Sequence, residues 1–384
     1  AQTNYPETEP NNTKAAANPV GGASGMVAGD TITGNSTGLS TTVAGSTSAD
    51  YYLITMATAA PGIYKHRLAI TTAGTAGHTG TIRGNGQTSS GVYATDDLTL
   101  QTSITTTTPP RFNDFYGFGK GERLFYRVTG TTTTTADYVA TLSTTTVVPT
   151  AMSTSVTPGT YAIRANAATN TALDTDLVVL DGSFNVIATR DDPDPSEVSL
   201  SLTTGTYYIG ISAYNVAVRF PSPTTPAADF PDPVTDFADI VVSTATSTST
   251  VVRGIDVASG ATVVATGAGT PSSQFDIAWF ALTVAPPSIP TATNVALAQP
   301  YLPGDSVTAN IIVNPAATPP STGITVNADL SAITGVPGTT TFTDIGGNTF
   351  SATFTVGATT AAGPYAATVN IADAEARTST ATLS

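Results

Sequence analysis

The 384-residue chain has no cysteine, two histidines and only three lysines (Lys14, Lys65 and Lys120). Without cysteine there is no disulfide, no thiolate metal site and no cysteine nucleophile. With His66 and His78 alone, little is left for a zinc site or a Ser-His-Asp relay. Charged residues make up 10% of the chain, well under half the usual fraction of about 25%. The formal net charge is -14. Such a field repels a phosphate backbone, so nucleic acid is excluded as a partner, and anionic membrane surfaces are disfavoured for the same reason. No apolar run approaches the ~20 residues that span a bilayer, so no membrane span is expected. No Gly-x-Ser-x-Gly elbow occurs, and Gly117-Phe118-Gly119 lacks the strand-to-helix setting that phosphate binding needs. No pair of carboxylates is singled out for glycoside hydrolysis, and no aromatic sugar platform accompanies one. The chain reads as a protein without enzymatic activity.

What it has in quantity is threonine, roughly one residue in five, far above ordinary usage. Few lysines, no thiols and many hydroxyls suit life outside the cell, where oxidants and proteases act. The opening Ala1-Gln2-Thr3 reads as the product of signal-peptide removal, and a trimmed chain would look the same. The expected location is extracellular or at the cell surface. Asn11-Asn12-Thr13 and Asn35-Ser36-Thr37 match the N-glycosylation acceptor pattern. The tracts Thr105–Thr108 and Thr131–Thr135 are candidates for O-linked sugar or plain polar strand and loop.

Apolar stretches are short, β-branched or aromatic, and bounded by Gly, Pro, Asn or Asp: Asp50–Met56, Glu122–Val128, Asp176–Asp181 and Gly205–Ser212. Alternation of period two recurs and no helix of three turns is evident, so the fold class is all-β, with turn spacing of the β-sandwich kind. A boundary is expected near Ala285-Pro-Pro-Ser-Ile-Pro290, after a closing strand that carries the only tryptophan, Trp279. Residues 287–384 hold about seven alternating runs, the number expected of a cysteine-free immunoglobulin-like sandwich. Residues 1–286 are too long for one minimal sandwich. They include an N-terminal strip (1–30), a weakly patterned Gly/Thr-rich stretch at about 71–111 that reads as an insertion or a second small sheet, and a proline-rich segment (220–236) whose proline density precludes a central strand.

The ordered series Glu7-Thr-Glu9-Pro-Asn11-Asn12, Val27-Ala-Gly29-Asp30, Ala49-Asp50-Tyr51-Tyr52, Asp174-Thr-Asp176-Leu-Val-Val-Leu-Asp181-Gly182 and Gly205-Thr-Tyr207-Tyr208-Ile-Gly-Ile-Ser-Ala213-Tyr214 resembles the bacterial pre-peptidase C-terminal domain. That domain is a jelly-roll-like β-sandwich of secreted proteins, among them the collagen-binding domains of bacterial collagenases. The match covers the N-terminal strip and roughly 137–284. The resemblance implies a Ca²⁺ site built from Glu7, Glu9, Asn11, Asn12 and Asp50. The chemistry is sensible, since Ca²⁺ takes six to eight oxygens and clustered carboxylates repel one another until a cation arrives. The alternative is that Glu7 and Glu9 are solvated acids on a tail, and Asp30 reads as a turn aspartate.

Asp174, Asp176, Asp191, Asp192 and Asp194 form a second candidate cation cluster. Asp174 and Asp176 sit at alternate positions that place both carboxylates on one strand face. Acid-rich turns also arise from Asp capping its own backbone. His66, among basic neighbours, reads as part of a solvated face. The aromatic group Phe112, Phe115, Tyr116, Phe118, Phe125 and Tyr126 reads as core packing rather than as a sticky surface. Three functional classes follow. One is an extracellular structural subunit that polymerises with copies of itself into a filament, sheath or surface layer. Another is a secreted calcium-dependent adhesion module for collagen-like protein or surface polysaccharide. The third is a hydrolase. Composition and the absence of a catalytic domain favour the first.

Overall fold

The computed structural model of the chain describes residues 1–35, 49–72, 77–88, 91–94, 96–104, 111–130, 136–166, 174–191, 196–219, 233–244, 251–298 and 300–384. It is all-β, with 54% strand and 2% helix. The helical residues described are one 3-10 turn, Lys14–Ala16, and one α-turn, Ser331–Thr334. No helix among the described residues is long and apolar enough to cross a membrane. The chain divides into two compact units, residues 1–153 with 159–283, and residues 154–158 with 284–384.

In the first unit a seven-stranded sheet has the order Asn4–Pro6, Thr31–Gly34, Tyr138–Val147, Ile63–Thr72, Arg111–Gly117, Ile240–Ser243 and Val216–Ala217. A six-stranded sheet runs Val234–Thr235, Thr79–Asn85, Arg123–Thr129, Ala49–Thr55 and Asn18–Val20, with Leu98–Thr102 paired to Thr79–Asn85. Apolar side chains of both sheets, including Ile32, Leu68 and Leu142 from one and Tyr52, Ile82 and Tyr126 from the other, meet in a single core. The stretch expected as a possible insertion thus supplies strands to this sheet. Its weak alternation has a steric cause, because a side chain at Gly80 would strike the Tyr126 hydroxyl and one at Gly84 the Val234 carbonyl. Glycine in a strand marks such close approach.

A five-stranded sheet (Thr150–Ala151, Ala278–Val284, Gly205–Ile211, Leu177–Leu180, Val186–Arg190) and a four-stranded sheet (Glu197–Leu202, Gly159–Ala165, Arg253–Ser259, Thr262–Gly269) complete the first unit. They approach closely, since a side chain at Gly267 would lie 2.7 Å from the Phe280 ring. The aromatic group divides between cores. Phe115 and Tyr126 belong to the first core, whereas Tyr116 and Phe118 join Trp279, Phe184 and Val178 in a second cluster. Phe112 and Phe125 are half-buried, and the Arg67 guanidinium lies 3.6 Å above the Phe112 ring.

The second unit is one seven-stranded path: Thr291–Ala292, Ser306–Asn314, Thr349–Thr355, Thr339–Asp344, Thr325–Asp329, Ala367–Ala372 and Thr378–Leu383. A bridge from Val295 to Leu383 brings its two ends together, so the sheet is nearly closed. Ser306–Asn314 alternates strictly between exposed and buried residues, and Val307, Ala309, Ile311 and Val313 point into the core.

Candidate functional site

The N-terminal strip is the least ordinary element of the first unit. Asn4–Pro6 adds a parallel edge to Thr31–Gly34, and Asn18–Val20 adds a parallel edge to Tyr52–Ile54. The first belongs to the seven-stranded sheet and the second to the six-stranded sheet, so residues 7–17 cross from one sheet to the other. Asp30, fully buried, pins the start of this strip by accepting from the Thr3 N–H at 2.7 Å and the Val27 N–H at 3.0 Å. It closes a turn, as expected.

The acids sit at the crossing. Glu7 directly follows the first strand, and its N–H donates to the Thr33 carbonyl. Carboxylate oxygens of Glu7, Glu9 and Asp50 lie within 4.8 Å of one another. Glu7 Oε2 accepts from the Asn35 N–H at 2.7 Å, while Oε1 is buried and receives no hydrogen bond from the described residues. Gly34 leaves room for this carboxylate, since a side chain there would come within 2.6 Å of Glu7 Oε2. Asn11 is fully buried. Its N–H donates to Glu9 Oε2, its Nδ2 to Asn18 Oδ1, and its carbonyl accepts from the Tyr51 N–H. Its Oδ1 receives no hydrogen bond from the described residues. Asp50 is also fully buried and accepts from the Tyr138 hydroxyl at 2.8 Å, which is itself bonded to the Tyr52 hydroxyl. Burial, and then the neighbouring Asp50 and Glu9 carboxylates, push the Glu7 carboxyl up to about 8 despite the opposing Asn35 N–H. Among the described residues no positive partner favours its charged form.

Of the five expected ligands, Glu7, Glu9 and Asp50 therefore converge, and Asn11 brings a buried oxygen without a donor. Asn12 does something different: its Oδ1 accepts from the Ala49 N–H at 3.1 Å and tethers the strip to the Ala49–Thr55 strand. Glu7, Glu9 and Asp50 could hold a hard cation, which takes oxygen donors of this kind, and Ca²⁺ or a similar ion would supply positive charge there. Tyr138, Tyr52, Gly34 and Asn18 complete the setting. Sequence reasoning missed them, and nothing in the pattern around Tyr138, 88 residues from Asp50, links the two.

In the second cluster, ligand atoms of Asp174, Asp176 and Asp191 lie within 4.8 Å of one another. Asp192 and Asp194 lie outside the described residues. Asp176 is buried, and its Oδ2 accepts from the Val216 N–H at 2.7 Å, which gives this acid a structural partner.

His66 is not on a solvated face. It is 6% exposed, its ring 5.0 Å from Phe115, and its Nδ1 pairs with the Thr144 hydroxyl at 2.9 Å. The basic neighbours are neutralised instead of solvated, Lys65 by Asp276 at 2.8 Å and Arg67 by Asp114 at 2.7 Å. Burial lowers the His66 imidazole to about 4.

No protein-family model matches this chain, and no curated protein matches it either.

Proposed function

We propose that the chain is an extracellular structural subunit that assembles with copies of itself, and that Ca²⁺ held by Glu7, Glu9, Asn11 and Asp50 clasps its N-terminal strip. One observation carries this reading: the strip lies as a parallel edge strand on two different sheets, with the acid cluster at its crossing. A strand held at an edge by a short ladder can be exchanged for the same strand of a second copy, with no new interface to invent. Each exchange passes the contact on to another copy, and where the geometry does not close, a filament results. The hydroxyl-rich, cysteine-free composition suits an exposed polymer, and the ordered motifs that resemble the pre-peptidase C-terminal domain fit the same setting. The chain's net charge of -14 opposes assembly, and bound cations would offset it.

Two measurements test the reading separately. Sedimentation and negative-stain microscopy should show polymers of the full chain that disappear when residues 1–20 are removed. If chains lacking residues 1–20, and chains lacking residues 287–384, sediment as the intact chain does, assembly through these segments is wrong. For the cation, a ligand that binds only the folded state stabilises by about 2.7 kcal/mol at a hundredfold excess over its dissociation constant. Thermal melting with calcium should therefore rise above that with a chelator, and Glu9→Ala should abolish the difference. An unchanged midpoint would remove calcium while leaving strand exchange to stand or fall on sedimentation.

A further inference from the structure

The second unit contains a cavity of ≈ 300 Å³ that runs from the surface into the core of its nearly closed sheet. Val307 and Leu383, both 1% exposed, form its floor; Tyr301, Leu302 and Tyr365 stand in its walls. Among the described residues no Asp, Glu, Lys, Arg or His side chain lines it, in a chain that carries a net charge of -14.

Its walls are fixed by hydrogen bonds of their own. The Tyr365 hydroxyl donates to the Ala361 carbonyl at 2.7 Å, the Thr360 hydroxyl to the Ile333 carbonyl at 2.8 Å, and the Leu302 N–H to Asp305 Oδ2 at 2.8 Å. Loops tied in this way do not collapse into the space, and empty apolar volume costs stability in proportion to its size. A preformed apolar pocket of a few hundred cubic ångströms is the usual shape of a small-molecule site.

We propose that this cavity binds a neutral, ring-containing apolar molecule with the bulk of one or two fused rings. The size follows from comparison with an apolar cavity of about 150 Å³, which takes a single benzene. Neutrality follows from the lining, because a charged ligand would lose its hydration and find no counter-charge. The ring preference follows from the walls, where tyrosine rings and the pyrrolidines of Pro300 and Pro303 offer flat apolar faces. The proposal is independent of assembly and of calcium.

Saturation-transfer NMR on the full chain tests it, with indole and naphthalene as probes and benzoate as the charged comparison. Indole and naphthalene should receive saturation and benzoate should not. Ala362→Trp, in the exposed rim, should plug the cavity and remove the transfer. Leu302 is 70% exposed, so Leu302→Asp leaves the core intact while placing a carboxylate at the mouth, and it should weaken indole binding at least about tenfold. Unchanged melting of the two variants would confirm that the fold survives. The proposal is overturned if neither ring compound receives saturation, if benzoate does so equally, or if indole transfer is the same in both variants as in the intact chain. Loss of transfer only on dilution of a self-associated sample would assign the cavity to a second copy of the chain and likewise overturn it.

Discussion

The two units bury polar groups in opposite measure. Among the described residues of the second unit, Thr318 and Asp373 are the buried polar side chains. Asp373 is matched where it lies, accepting from the Arg377 backbone and guanidinium at 3.0 and 2.9 Å and from the Ser321 hydroxyl at 2.9 Å. The first unit buries Asp50, His66, His78, Gln101, Asn113, Asp114, Arg253 and Asp276, among others. Some of these groups join strands of different sheets. Gln101, on a strand of the six-stranded sheet, donates at 2.8 Å to the carbonyls of Asp114 and Ser243, both on the seven-stranded sheet. A single nearly closed sheet can set its register by alternation alone, because a slip of one residue turns its apolar face outward. Two stacked sheets have no ladder between them, and buried amides and acids that cross the gap specify how one lies on the other.

The largest test of this difference is Asp276→Ala. Asp276 accepts from Lys65, Ser272 and Ser273, and these contacts, working against burial, hold its carboxyl down at about 2. Removing it takes the counter-charge from both Lys65 and the fully buried Arg253, and breaking such a buried pair costs about 4 kcal/mol. Urea unfolding should show the first unit lost at much lower denaturant, with the second unit's transition in place. A shift below about 1 kcal/mol would mean that the network contributes little.

The matching test in the second unit is Ile371→Ala. Ile371 is fully buried in the core, and deleting its branched side chain should cost about 3 kcal/mol through lost transfer energy and the cavity left behind. Only the second unit's transition should move.

Acid also separates the units, because both histidines lie in the first. Burial lowers His66 to about 4, and burial with the nearby Arg111 charge lowers His78 to about 4. The unfolded chain takes up these protons near pH 6.5 and the folded chain does not, so stability is complete above that value and is lost as pH falls from about 6.5 to 4, by at most ~3 kcal/mol per histidine. Glu7 works the other way in cation-free protein, because its folded value of about 8 lies above its unfolded one. Its contribution is present below about 4.5 and is lost as pH rises through 8. Melting between pH 4.5 and 6.5 in saturating calcium should therefore isolate the histidines. His66→Gln should reduce the slope for the first unit, and the second unit should show none of it.

The same contrast decides what the sequence reveals. The strands of the second unit follow runs that alternate visibly, such as Ser306–Val313 and Thr349–Val356, because one face meets the core and the other meets water. In the first unit Leu177–Leu180 is buried at every position and was legible only as a short apolar run between aspartates, while Thr79–Asn85 is broken by glycines and shows no such run. Glu7, Glu9 and Asp50 were legible as candidates only through the resemblance to the pre-peptidase C-terminal domain, since Asp50 lies far along the chain from the other two. Asn12 shows the limit of such a reading, because an amide that tethers a strand, as its Oδ1 does on the Ala49 N–H, looks in sequence like one that ligates an ion. Tyr138 and Gly34 were invisible, since Tyr138 meets Asp50 only when two sheets come together and Gly34 meets Glu7 only when Asn4–Pro6 pairs with Thr31–Gly34. His66 was misplaced because Lys65 and Arg67 suggest solvent until Asp276 and Asp114, far along the chain, are seen to neutralise them.

The smallest expected effect lies on the outer face of the second unit. Thr308 and Thr353 face one another across adjacent strands and share a hydroxyl hydrogen bond of 2.9 Å. Both are exposed, so water competes for each hydroxyl, and the bond exchanges one partner for another with little net gain. Thr308→Ala should cost only about 0.5 kcal/mol, a mixture of lost β-branched packing and the lost bond. A double-mutant cycle with Thr353→Ala isolates the bond itself, and the coupling should be a few tenths of a kcal/mol. If the coupling exceeds about 1 kcal/mol, the threonine-rich face stabilises this unit directly, and the contrast between an apolar-patterned unit and a polar-networked one would have to be redrawn.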